Sequence, residues 1–168
     1  KCILGYEVDK IEIDDLEYVG VKSPQFSFSR LKGADPVSFI EMASTGEVAC
    51  IGNNLNDAFL KSMISVNFKI PKKNILLSTG TFPNKLKFVE SAKVLHNLGY
   101  RLYATNGTGE FLKSYNIPIK ILNWPLTNKT PNVIDYIKNK KIDLVINIPK
   151  NYYDKEITND YLIRRTAI

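Results

Sequence analysis

The stretch LYATNGTGEF, residues 102–111, sets two threonines and a glycine between an apolar run and a helix-like segment. That order suits an anion. A helix N-terminus presents backbone N–H groups without intrahelical partners and a partial positive charge. Gly107 allows a close backbone approach, and Thr105 and Thr108 would straddle it with two hydroxyl donors. Capping of the helix by a threonine explains Thr-x-Gly-Thr as well. The neighbouring runs argue for more than a cap. NILLST leads into Ser78-Thr79-Gly80, PIKILNW ends in Asn123-Trp124-Pro125, DLVINI reaches Asn147, and Lys85 follows the first of them. If these are strand ends of one parallel sheet, hydroxyls, amides, a glycine and the only tryptophan share one rim. Ligands of open parallel sheets bind outside the carboxyl ends of the strands. The candidate anion contacts are therefore Ser78, Lys85, Thr105, Gly107, Thr108, Trp124 and Asn147.

The same rim reads as poor in catalytic groups. No acid–base pair and no nucleophile stands at a strand end. The single histidine, His96, falls inside a helical pattern, and Asp143 begins its run, at the wrong end. There is no Walker loop, no GxGxxG and no metal-ligand spacing. No catalytic residue and no metal ligand is assigned. Such a site holds an anion rather than transforming one.

The elements that must carry these residues follow from periodicity. From about residue 71 the rhythm is strand, loop, helix, repeated: strands at 74–79, 101–105, 118–124 and 143–148, with helical stretches KLKFVESAKVLHNLGY, GEFLKSYN, TPNVIDYIKNKK and NDYLIRRTAI between and after them. Leu86, Val89, Leu95 and Leu98 mark one side of the first helix, which Gly99 ends. Thr130 is expected to cap the third, with Pro131 in its first turn. Apolar runs alternating with amphipathic helices predict an α/β, Rossmann-like parallel sheet covered on both faces. Residues 1–70 read differently, as a smaller α+β piece. EYVGVKSPQFSFSRL alternates like a strand over Phe26 and Phe28, with Pro24 marking an edge or a start. Gly46 is expected to be a turn. NNLNDAFLKSMISV presents Leu55, Phe59 and Met63 at helical spacing, capped by Asn53 or Asn54.

The chain has 168 residues, 44% of them hydrophobic and 24% charged, the composition of a globular protein. No apolar run reaches membrane-spanning length, and the start KCILGYEV resembles mid-domain sequence rather than a signal peptide. A cytoplasmic location and no membrane partner are expected. Cys2 and Cys50 lack ligand spacing and read as free thiols. Residues 1–72 carry 8 basic and 10 acidic residues, residues 73–168 carry 15 and 7. The second half is thus strongly basic and prefers anions.

FSFSRLKGADPVSFIEMASTGEVACIG, FKIPKKNILLSTG, LYATNGT, DLVINIPKN and DYLIRRTAI, in this order, resemble the carbamoyl-phosphate synthase large chain near its C-terminus. The resemblance spans essentially the whole chain. It implies that residues 1–70 are the end of an ATP-grasp domain and 71–168 a methylglyoxal-synthase-like regulatory domain, without the family's last strand and helix. It implies an anionic effector (uridine or inosine monophosphate, or N-acetylglutamate) at the residues named above. The parent enzyme would make carbamoyl phosphate from bicarbonate, glutamine-derived ammonia and two ATP, for pyrimidine and arginine biosynthesis. Its partners would be the rest of the large subunit and the glutaminase small subunit, and its cofactors ATP with Mg or Mn. The piece itself would need no cofactor and would be inactive alone. The pattern is mixed at the effector site. Members inhibited by uridine nucleotides carry lysine where Trp124 stands. Those activated by N-acetylglutamate carry tryptophan there, and also asparagines where Lys150 and Asp160 stand. Ornithine-sensing members carry an acidic residue about where Ser23 stands.

Two other readings compete. A methylglyoxal synthase-type lyase needs an aspartate and a histidine at the phosphate site, and the rim as read from sequence offers neither. A nucleic-acid binder would exploit the basic half. Phe88, Tyr103, Phe111 and Tyr136, however, fall at core spacing rather than forming a stacking platform, so no nucleic-acid partner is expected.

Overall fold

The computed structural model describes residues 2–6, 17–26, 45–127, 129–149 and 154–168. These divide into two units, one ending at Phe68 and the other beginning at Lys69. Phe28 and Lys150 lie outside the described residues.

In the first unit, β1 (Val19–Phe26) and β2 (Thr45–Gly52) pair antiparallel. Both are edges of a two-stranded sheet, where Pro24 is tolerated. Gly46 is not a turn: it lies within β2, opposite Gln25. Helix α1 (Leu55–Ser65) begins at Asn54, whose Oδ1 accepts from the Asp57 N–H at 3.0 Å. The Asp57 carboxylate accepts in turn from the Asn53 N–H at 3.1 Å, so both side chains satisfy orphan donors of the helix start. The face α1 buries is small and partly polar, Ala58 and Ser62, with Ser62 Oγ 2.9 Å from Ser23 Oγ. Leu55 and Phe59, two of the three apolar residues at helical spacing, are 62% and 51% exposed. Helical spacing fixes which residues share a face but not which face is covered.

The second unit is a parallel four-stranded sheet in the order β5-β4-β3-β6, from β3 (Asn74–Thr79), β4 (Arg101–Thr105), β5 (Ile119–Leu122) and β6 (Leu144–Ile148). Alternation along the strands serves two cores. Ile75, Leu77, Leu102 and Ala104 pack with Val89 and Ala92 of α2 (Phe82–Asn97) and Leu112 of α3 (Asn106–Lys113). Leu76 and Leu122 pack with Val133 and Ile137 of α4 (Val133–Lys138) and Ile163 of α5 (Asp154–Ala167). Two helices therefore cover each face, as expected for an α/β sheet. Phe88 and Phe111 pack against the first core, Tyr103 and Tyr136 against the second.

Several boundaries move. Helix α2 starts at Phe82, with Pro83 in its first turn, a position that needs no N–H. Of its expected apolar side, Val89 is buried but Leu86 and Leu98 are exposed. Gly99 does end it, at φ +88. Helix α3 starts at Asn106. The cap of α4 is Asn132, not Thr130, because the Pro131 carbonyl is held by Asn123 N at 2.8 Å and Asn123 Nδ2 at 3.1 Å. At the amino end, the Asp143 carboxylate accepts from the backbone N–H groups of Lys73 and Asn74 at 2.8 and 2.7 Å, fastening the start of β3 to β6.

Candidate functional site

Of the strands in this sheet β3 comes first along the chain, and it lies between β4 on one side and β6 on the other. Its carboxyl end is the switch point at which an open α/β sheet leaves a crevice. A cavity of about 220 Å³ opens there. Its wall includes Ser78, Thr79, Gly80, Lys85, Thr105, Gly107, Thr108, Trp124, Ile148 and Asp160. Six of the seven residues expected at the site thus meet in one cavity.

The threonines are arranged otherwise than as free donors. Thr108 is 2% exposed; its hydroxyl donates to the Thr79 carbonyl at 3.1 Å and accepts from the Thr79 N–H at 3.0 Å. It laces α3 to the end of β3. Thr105 stands at the N-cap position of α3, but its hydroxyl makes no cap bond; it donates to Ser78 Oγ at 3.3 Å. Thr81, at the N-cap of α2, also makes no side-chain cap bond. The two helices that open at the cavity therefore start without side-chain caps, whereas α1 and α4 are both capped by an asparagine. Lys85 leans over the first turn of α3: its Nζ would stand 3.4 Å from a Cβ on Gly107. A cation and the positive end of a helix dipole thus face one spot, which favours a negative ligand.

Trp124 is held from behind. Asn132 Nδ2 donates to the carbonyls of Trp124, Pro125 and Thr127 at 3.0, 3.4 and 3.2 Å, while its Oδ1 accepts from Ile134 N. Asn132 organises the turn that presents the indole. Its position immediately before an apolar helix start was the sequence signal for it.

Asn147 is the exception among the seven. It does not line the cavity. Its Nδ2 donates to Asp160 Oδ1 at 2.7 Å and its Oδ1 accepts from the Arg164 guanidinium at 2.8 Å. Asp160 and Arg164, one turn apart on α5, clamp it. Asp160 is 3% exposed and lines the cavity, so a carboxylate does reach the rim, contrary to the reading that none would. It comes from a helix rather than a strand end, which is why listing strand ends missed it. His96 is exposed and lines a separate cavity, with Arg101 and Lys120 at the amino end of the sheet. Cys50 is a free thiol, 3.4 Å from Ser65 Oγ. Among the described residues no group of His, Cys, Asp and Glu could hold a metal, and no helix is long and apolar enough to cross a membrane.

The parallel sheet with helices on both faces belongs to an MGS-like domain: residues 87–168 match the family profile of that description. Over its full length the chain is 46% identical to Multifunctional protein pyr1-3 of Dictyostelium discoideum and 44% identical to Multifunctional protein CAD of Squalus acanthias. It is 40% identical, again over its full length, to the mitochondrial carbamoyl-phosphate synthase [ammonia] of Rattus norvegicus. The chain belongs to the carbamoyl-phosphate synthase family and carries its MGS-like domain. It spans only 8% of each of the two multifunctional relatives and 12% of the rat enzyme.

Proposed function

We infer that this chain is the effector-binding, regulatory part of a larger carbamoyl-phosphate synthase, and that the cavity at the end of β3 takes a small anion. The observation that carries this reading is the convergence of Lys85, the uncapped start of α3 and the Ser78–Thr105 hydroxyl pair on one cavity walled by Trp124. Residues up to about 70 are read as the end of an ATP-grasp domain. The parent enzyme would join bicarbonate, glutamine-derived ammonia and two ATP into carbamoyl phosphate in the cytoplasm, with ATP and Mg or Mn bound upstream and a glutaminase subunit as partner. The effector is a uridine or inosine monophosphate, or N-acetylglutamate. The test is calorimetric titration with these three, followed by Lys85→Gln. At least one should bind, and the substitution should weaken it about tenfold, since a charge-assisted hydrogen bond is worth about 1.5–3 kcal/mol. No binding of any of the three at millimolar concentration sinks the reading.

A second reading gains one observation. Asp160 supplies a carboxylate that a triose-phosphate lyase could use as base, although His96 lies at the other end of the sheet. Conversion of dihydroxyacetone phosphate by the purified chain would favour it.

A further inference from the structure

The sequence has one Asn-Gly pair, Asn106-Gly107, and the fold sets it at the mouth of α3. An asparagine side chain and the backbone nitrogen that follows it can close a five-membered ring. A Cβ on the second residue hinders that closure, and glycine has none. Both residues are exposed, whereas Thr108 and Gly109, directly after them, are buried. The Gly107 N–H belongs to the first turn of α3, whose donors have no carbonyl partner within the helix. Thr105, at the N-cap position, gives that turn no side-chain bond. Closing the ring requires Asn106 to leave its helical conformation. Such a movement opens only the end of a helix, where opening costs least. The buried anchor at Thr108, tied to Thr79, lies beyond it. The positive end of the helix dipole also eases loss of the Gly107 amide proton, because it favours negative charge on that nitrogen.

We propose that Asn106-Gly107 is a self-modification site, which deamidates through a succinimide in the folded chain. The Gly107 nitrogen, having lost its proton to hydroxide, attacks Asn106 Cγ. The N–Cγ bond forms, the Cγ–Nδ2 bond breaks, and Nδ2 leaves as ammonia with a proton taken from water. A second water then opens the ring. Cleavage at the N–Cγ bond leaves an aspartate with the main chain in its ordinary path. Cleavage between the Gly107 nitrogen and the Asn106 carbonyl carbon leaves an isoaspartate, whose main chain runs through Cβ and Cγ. Either product adds a negative charge at the start of α3, next to the Gly107 wall of the cavity. The isoaspartate also lengthens the link from β4 to α3 by one main-chain atom.

Asn67 and Asn116 are comparators within the same chain: both are exposed and in the left-handed region, at φ 73 and 59, but Phe68 and Ile117 follow them. The whole chain is incubated in mildly alkaline buffer, folded and in urea, and sampled over days. Peptide mapping by mass spectrometry reads the gain of mass at each asparagine, and methyl transfer by an isoaspartyl methyltransferase reads the isoaspartate. In the folded chain Asn106 should convert at least about tenfold faster than Asn67 or Asn116, and within about tenfold of its own rate in urea. Part of the product should be isoaspartate, and the rate should rise with pH. Gly107→Ala should slow conversion at least about tenfold, both folded and in urea. A folded chain that keeps Asn106 intact while the urea sample converts overturns the proposal, because the first turn of α3 then protects the pair. Conversion to aspartate alone, or equal conversion in Gly107→Ala, overturns ring closure through the Gly107 nitrogen. The wild-type arms and the urea arm need no variant to fold.

Discussion

At the scale of residues, the two glycines of α3 separate fold from function. A Cβ on Gly109 would meet Ile121 Cγ1 at 2.5 Å, against the neighbouring strand. Gly109→Ala should therefore cost about 1–3 kcal/mol by overpacking, read from urea unfolding. A Cβ on Gly107 would meet only the end of the Lys85 side chain. Gly107→Ala should leave stability unchanged or raise it by about 0.5–1 kcal/mol, since alanine is the better helix former. It should nonetheless weaken binding of a phosphomonoester, because the methyl group stands where the backbone must be approached and crowds the ammonium. If stability and binding fall together in Gly107→Ala, the cradle is wrongly placed. The chemistry at this rim was legible from residue types and spacing alone wherever a strand end supplied the group: Ser78, Thr105 and Trp124 needed only the parallel-sheet rule. Asp160 was not legible. Its place depends on how α5 seats Ile163 and Arg164 against the sheet, which no local pattern states.

At the scale of elements, the turns and caps set the geometry. Asn132 donates to three carbonyls of the turn from Trp124 to Thr127 and caps α4. Asn132→Ala should lower stability by about 1–3 kcal/mol, through the lost helix cap and the lost bonds to the Pro125 and Thr127 carbonyls, and should change the fluorescence of the indole. Asn132→Asp keeps the cap but offers no N–H, so it should disturb the indole while retaining more of the helix. In the first unit, Asp57 is held below its ordinary carboxylate pKa of 3.8 by its hydrogen bond from Lys61, helped by the Asn53 N–H. A depressed folded pKa stabilises above the unfolded value and loses that contribution as pH falls through the folded one. The stability difference between wild type and Asp57→Asn should thus be constant at neutral pH and shrink below about pH 3.8. An unchanged difference down to pH 2 would mean that the Lys61 contact does not form in solution. The strands were readable because their apolar runs are buried on both faces. The helix starts at Phe82 and Asn106 were not, because a first turn has no apolar periodicity of its own.

At the scale of the whole molecule, the first unit exposes Ile3, Leu4, Tyr6, Ile51, Leu55 and Phe59. That much apolar surface is uncommon on a monomer, so the chain alone should self-associate, with an elution volume on size exclusion that depends on concentration. A monomer at all concentrations would show that this surface is tolerated in water. The purified chain should also neither hydrolyse ATP nor form carbamoyl phosphate; turnover that survives re-purification would require a catalytic centre within these residues. The strand order has a consequence for the time course of synthesis. β3 lies between β4 and β6, yet β6 and α5 are made after β4 and β5. As the chain leaves the ribosome, N-terminal parts first, β3 can pair with β4 early and must wait with its other edge bare. Only when residues 144–148 emerge is that edge closed, and only with α5 does Asp160 arrive. A nascent chain stalled before Leu144 would hold Lys85 and the start of α3 in place without the far wall, so it should not bind the anion proposed for the finished cavity.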